Sequence, residues 1–137
     1  MKKSLHLILF LSLVSLYRLE AYHIVGGELE LILVDPKTFT YDLNLVQYFD
    51  AAQANNPGPD PSATVYIFKN GNRFPIDTYT LNLEVTQDVP YTNPECAIGE
   101  LYTRRPYYTK RIILDPLKYS DPDGYYIVWE RCCRNAD

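Results

Sequence analysis

Three cysteines, a handful of carboxylates and one tryptophan are the residues whose types could do chemistry. Cys96, Cys132 and Cys133 are an odd set. Neighbours on a strand point to opposite faces, so Cys132 and Cys133 are poorly placed to bond each other. A bridge from Cys96 to one of them closes about 36 residues, which in the chain-entropy model contributes roughly 3 to 4 kcal/mol. The third sulfur then pairs beyond this stretch, joins two chains, or lies buried and inert. The paired ligand spacing of a zinc site is missing, and adjacent cysteines are not the spaced pair of a redox motif. Asp50 and Asp60 flank one loop and Asp115, Asp121 and Asp123 populate another. They have the ligand type for calcium, but not the spacing of a calcium-binding loop, and "DPDG" is ordinary turn sequence. Glu100 and Glu130 are the acids of a glycoside-cleaving pair by type alone, since nothing sets the separation such a reaction needs. Trp129 with Tyr125 and Tyr126 could stack on sugar rings, although an alternating Tyr/Trp strand more often serves core and cross-strand packing. No cofactor, metal site or catalytic group is expected.

The string Ile24-Val25-Gly26-Gly27 is one that serine proteases expose as a new amino terminus, so the catalytic alternative needs a test. The chain has two histidines, His6 and His23. His6 lies in the leader described below, and His23 stands directly before the bond that would be cut, so neither remains to shuttle a proton for a nucleophile. No Gly-x-Ser-x-Gly elbow occurs. The structural reading is a first strand entered through a Gly-Gly pair, where glycine marks a bulge or a close backbone approach.

The elements that position these residues follow a leader. Lys2 and Lys3 precede an apolar run from Leu5 to Leu16, and Ala21 supplies a small residue for cleavage. Residues 1–21 therefore read as a secretory signal peptide, too short in its apolar part to span a bilayer, with no membrane span after cleavage. Removal of Lys2, Lys3, Arg18 and Glu20 takes three bases and one acid from totals of 13 and 17. The mature chain, net −6, is a poor partner for nucleic acid. Arg104-Arg105 and Lys110-Arg111 read as a solvated surface among acidic neighbours. Export to an oxidising compartment agrees with paired thiols.

From Tyr22 onward the pattern is that of strands. Leu29 to Val34 is a strand, with Asp35-Pro36-Lys37 as the turn after it. "FTYDLNL" alternates Phe39, Tyr41, Leu43 and Leu45 against Thr40, Asp42 and Asn44, a half-buried strand. Asp50 to Ser62 is loop. "ATVYIFK" is followed by Asn70-Gly71, which predicts a type I′ hairpin, and "DTYTLNLEV" returns with Tyr79, Leu81, Leu83 and Val85 on one face. "LYTRRPYYTKRIIL" contains Pro106, which predicts an edge strand or a bulge. "GYYIVWERCC" sets Tyr125, Ile127 and Trp129 against Tyr126, Val128 and Glu130. Twelve of the thirteen tyrosines lie in this part and suit such strands, with rings on the pleat and hydroxyls in water. The expectation is one all-β domain over residues 22–137, an antiparallel immunoglobulin-like β-sandwich of about six to seven strands.

Four stretches carry a resemblance: "HIVGGE" after the leader, "YFD" at Tyr48 to Asp50, "YTNPECAIGEL" at Tyr91 to Leu101, and "YSDPDGYYIVWERCCRN" at Tyr119 to Asn135. Together they resemble the amino-terminal domain of large secreted proteins of gliding bacteria, which usually end in a gliding-motility-associated sorting domain. The resemblance spans the mature chain and implies type IX export and display in a multidomain surface protein or adhesin. It brings no catalytic residues. The family continues past "RCCRN", whereas this sequence stops at Asp137 without a sorting signal. Two expectations follow: a fragment or truncated form of a longer surface protein, of which this is the first module, or a free-standing periplasmic or secreted relative. The functional expectation is a non-enzymatic structural or adhesion module, partnered by other domains or chains of a surface assembly. The alternative is a carbohydrate-binding module for an extracellular glycan.

Overall fold

The computed structural model describes residues 24–51, 58–90 and 102–131. Over these residues the chain is all-β, with six strands: β1 (Ile24–Asp35), β2 (Thr40–Asp50), β3 (Ser62–Lys69), β4 (Asp77–Val89), β5 (Thr103–Ile113) and β6 (Tyr125–Trp129). All pairings are antiparallel, in the order β1-β2-β5-β4-β3-β6. Among the described residues no helix is long and apolar enough to cross a membrane.

One hydrogen-bonded sheet makes two layers because β4 changes partner midway. Its first half pairs with β3 from Asp77 to Asn82, and its second half pairs with β5 from Asn82 to Val89. A register shift between Leu83 and Val85 marks the corner, the kind of bulge by which a strand passes from one layer to another. The order β1-β2-β5-β4 on one side and β3-β6 on the other is that of the first six strands of an immunoglobulin-type sandwich, with β4 bridging the layers. Between the layers Leu43 and Leu45 of β2 meet Ala63 and Val65 of β3, Leu81 of β4, and Tyr108 and Ile112 of β5. Ile127 and Trp129 pack against this cluster.

Several local expectations hold for the reason given. The Gly26-Gly27 pair is both a bulge and a close approach. The β1–β2 register shifts between Ile24 and Gly26, and a Cβ on Gly27 would lie 2.9 Å from the Val46 carbonyl oxygen. Asp115 and Asp121 serve as turn residues, their carboxylates accepting the Leu117 and Asp123 amides at 2.9 and 3.0 Å.

Others are corrected by tertiary contacts. Phe39 does not lead β2; it ends the turn at a φ of +52° with its ring exposed, because Asp35 holds the Lys37 amide and the Thr38 hydroxyl and the strand starts at Thr40. Asn44, expected on a wet face, is buried between β1 and β5, where Thr109 Oγ1 donates to its carbonyl at 2.7 Å. Pro106 is buried in a central strand rather than at an edge. The missing amide is tolerated because the β2–β5 pairing passes from Val46↔Tyr107 to Phe49↔Arg104, leaving a gap opposite Pro106 on the β2 side, while the bulge falls on β4 nearby. Val85 leaves the inner-face alternation at that bulge and is exposed. The Asn70-Gly71 turn has positive φ at Gly71 (+81°) and not at Asn70, so it is not type I′. Asn70 is instead tied to the turn before β6, its amide donating to the Gly124 carbonyl at 3.0 Å and its side chain to the Asp123 carbonyl.

Candidate functional site

Two places combine exposed rings or a cleft with polar groups. The first is on the outer face of β3 and β6. Along β3, Ala63, Val65 and Ile67 point to the core, so Tyr66 and Phe68 point outward. The β3–β6 register sets Phe68 opposite Tyr126 and Tyr66 opposite Val128. The rings of Phe68 and Tyr126 stack at 5.2 Å between centroids and 9° between planes, and Tyr66 continues the row 6.5 Å from Phe68. Tyr126 is 42% exposed. Beside the row lies a shallow groove bordered by Tyr66, Phe68, Pro75 and Glu130. Flat rings next to a carboxylate present an apolar stacking surface and a hydrogen-bond acceptor together.

The second place is the seam where the two outermost strands meet. Residues Ile24 to Leu29 of β1, Leu45 of β2 and Trp129 of β6 border a cleft of about 260 Å³. Trp129 also walls a more polar cleft of about 220 Å³ with Gln47, Ser62, Thr64, Glu130 and the Asp60–Arg131 ion pair. Gln47 is 1% exposed, and its Oε1 has no hydrogen-bond partner among the described residues. A buried acceptor in that state costs about 1 to 3 kcal/mol of lost solvation.

The three expected stacking residues do not act together. Tyr125 is on the inner side, where its hydroxyl donates to the Lys118 carbonyl and accepts from the Asp121 amide, both at 3.0 Å, and its ring meets Tyr119 edge-on at 5.0 Å. That is the work of a turn anchor. Trp129 is half-buried at the seam, and Tyr126 alone joins the outer row. Cys96, Cys132 and Cys133, and with them the disulfide expectation, lie outside the described residues. Tyr66 and Phe68 were legible as the outer positions of an alternating strand, but their union with Tyr126 needed the β3–β6 register. Nothing in the spacing pointed to Gln47.

The charged groups are mostly paired at the surface. Arg111 holds Asp42 through two bonds of 2.8 and 3.0 Å, Arg104 faces Asp88 at 3.5 Å, and Lys69 pairs with Asp121. The basic cluster of β5 is thus set against carboxylates and carbonyls, Lys110 reaching the Thr80 carbonyl at 3.2 Å. Among the described residues no group of three or more His, Cys, Asp and Glu side chains could hold a metal ion. No family model, curated protein or solved structure matches the chain.

Proposed function

We propose that this chain is a non-enzymatic attachment module of an exported cell-surface protein, linked to gliding or surface adhesion, and that it makes contact by stacking on extracellular glycan. The observation that carries the reading is the Tyr66–Phe68–Tyr126 row on the outer face of β3 and β6, where half-buried Tyr66 and Phe68 continue into exposed Tyr126. A core does not need rings on its wet side, whereas the C–H face of a pyranose packs on such rings and its hydroxyls can donate to a neighbouring carboxylate, here Glu130. The leader at residues 1–21 and the motifs at Tyr91 to Leu101 and Tyr119 to Asn135 support the exported, surface-displayed part of the reading.

Affinity electrophoresis of the mature chain through gels containing soluble polysaccharides tests it. Retardation is expected in at least one β-linked glucan, mannan or amino-sugar polymer. Phe68→Ala or Tyr126→Ala is expected to weaken it roughly tenfold, at an unchanged fold, through loss of one stacked ring. Unretarded migration throughout, or full retention by the Phe68→Ala/Tyr126→Ala protein, would remove the glycan and leave a structural module.

A further inference from the structure

We infer that the groove beside the Tyr66–Phe68–Tyr126 row selects sugars carrying a free, protonated amine over N-acetylated, neutral and acidic ones, and that Glu130 makes the choice. The inference rests on the glycan reading of this face and adds to it the class of sugar and the charge that selects it.

The groove is built by β3, β6 and the connection from β3 to β4. Alternation along β3 turns Tyr66 and Phe68 outward, away from the side on which Val65 and Ile67 are buried. The β3–β6 register sets Phe68 against Tyr126, Tyr66 against Val128 and Val65 against Trp129. Glu130 follows Trp129 and is the next outward position after Val128, so it joins the rings on one face. Pro75 borders the groove from the β3–β4 connection. The space is about 360 Å³, at the lower end of small-ligand sites.

One of these border residues is charged. Glu130 is exposed, and among the described residues no ion pair engages it. The bases nearest to the row along the chain are turned to other acids: Arg131 pairs with Asp60, and Lys69 with Asp121. Arg73, in the β3–β4 connection, is exposed and does not border the groove. On the β4 side the register sets exposed Thr78 against Tyr66, which adds a neutral hydroxyl.

These surroundings treat the sugars differently. An ammonium group on a stacked pyranose meets two attractions at once, the carboxylate and the negative face of a ring. A neutral sugar has the stacking alone. A uronic acid brings a second carboxylate against Glu130, and the acidic mature chain repels it further at long range. N-acetylation removes the charge and keeps the ring, so the two forms of one sugar separate the carboxylate's effect from that of the stack.

Calorimetric titration of the protein without its leader tests this in mildly acidic buffer, with oligosaccharides of equal length. The probes are a glucosamine oligomer, its N-acetylated form, a neutral β-glucan and a uronate. The glucosamine oligomer is expected to bind roughly tenfold more tightly than its N-acetylated form, with the uronate weakest and the preference shrinking as salt is raised. Glu130→Gln, at an exposed position, is expected to remove the preference, because its amide still accepts a hydroxyl and carries no charge. Equal affinity for the two forms, or a preference that survives Glu130→Gln, overturns the inference and leaves stacking on glycan in place. Failure of every oligosaccharide to bind removes both readings. Glucosamine binding that is matched by oligolysine of equal charge, or that survives Phe68→Ala/Tyr126→Ala, overturns the inference too, since attraction of any polycation to an acidic protein then accounts for the signal.

Discussion

Gly27 and Gln47 show how much a single position is asked to do in this fold. At Gly27 the β1 backbone passes so near the Val46 carbonyl that any Cβ meets it at 2.9 Å, and the obstacle is backbone rather than a side chain that could turn away. Gly27→Ala is therefore expected to destabilise the domain by about 1 to 3 kcal/mol, read as a lower urea midpoint at constant slope. An unchanged midpoint would mean that β1 shifts freely at its bulge. Gln47 presents the opposite case. Its Oε1 is buried without a partner among the described residues, so replacing the amide by an apolar group of similar shape removes a penalty. Gln47→Met is expected to raise stability by about 1 kcal/mol, read as a higher urea midpoint. A destabilised Gln47→Met protein would show that the amide already has a partner in solution.

At the scale of elements, β4 and the turn before β6 hold the two layers in register. Asp77 opens β4 and takes Lys118 Nζ at 2.6 Å and the Tyr119 hydroxyl, fastening the Asp115–Tyr119 turn to the start of the strand. Burial pushes the Asp77 carboxyl up, but its hydrogen bonds with Lys118 and Tyr119 outweigh that and hold it below the usual range. Asp77→Asn keeps the shape and removes the charge, so a loss of about 1 kcal/mol is expected, discounted for the solvent around Lys118. The variant should also lose part of the stability change on acidification described next. Equal acid sensitivity in both proteins would place the effect elsewhere.

For the whole molecule, several carboxyls are held in their charged form by the fold. Asp42 is lowered by its hydrogen bond from Arg111, Asp121 by the one from Lys69, and Asp35 by the one from Thr38. A carboxyl lowered in the folded state contributes stability above its unfolded pKa and loses it as pH falls through the folded value. The melting temperature is expected to be level from neutral pH to about 5 and to fall below about 4. Tyr119 sets the other limit. Burial and its bond to Asp77 raise its hydroxyl well above the ordinary value, so its contribution is complete below about 10 and declines at higher pH. A melting curve that stays level from pH 3 to 11 would remove both assignments.

By itself the sequence determined the strands and, apart from Phe39 and Val85 at their ends, the inner faces, because alternation such as Tyr79-x-Leu81-x-Leu83 and Tyr125-x-Ile127-x-Trp129 is a local property of an extended chain with one apolar side. The Gly26-Gly27 bulge was legible for the same reason. Only the tertiary structure decided what depends on who lies beside whom. Asn44 and Pro106 are buried because β2 and β5 are flanked on both edges, a fact of strand order that neither residue's neighbours in sequence encode. The ring row exists because the β3–β6 register sets Phe68 against Tyr126 across 57 intervening positions, and the seam exists because β4 folds the sheet until β1 reaches Trp129. Side-chain patterning is read two residues at a time, whereas pairing and closure are set by contacts between segments far apart in the chain.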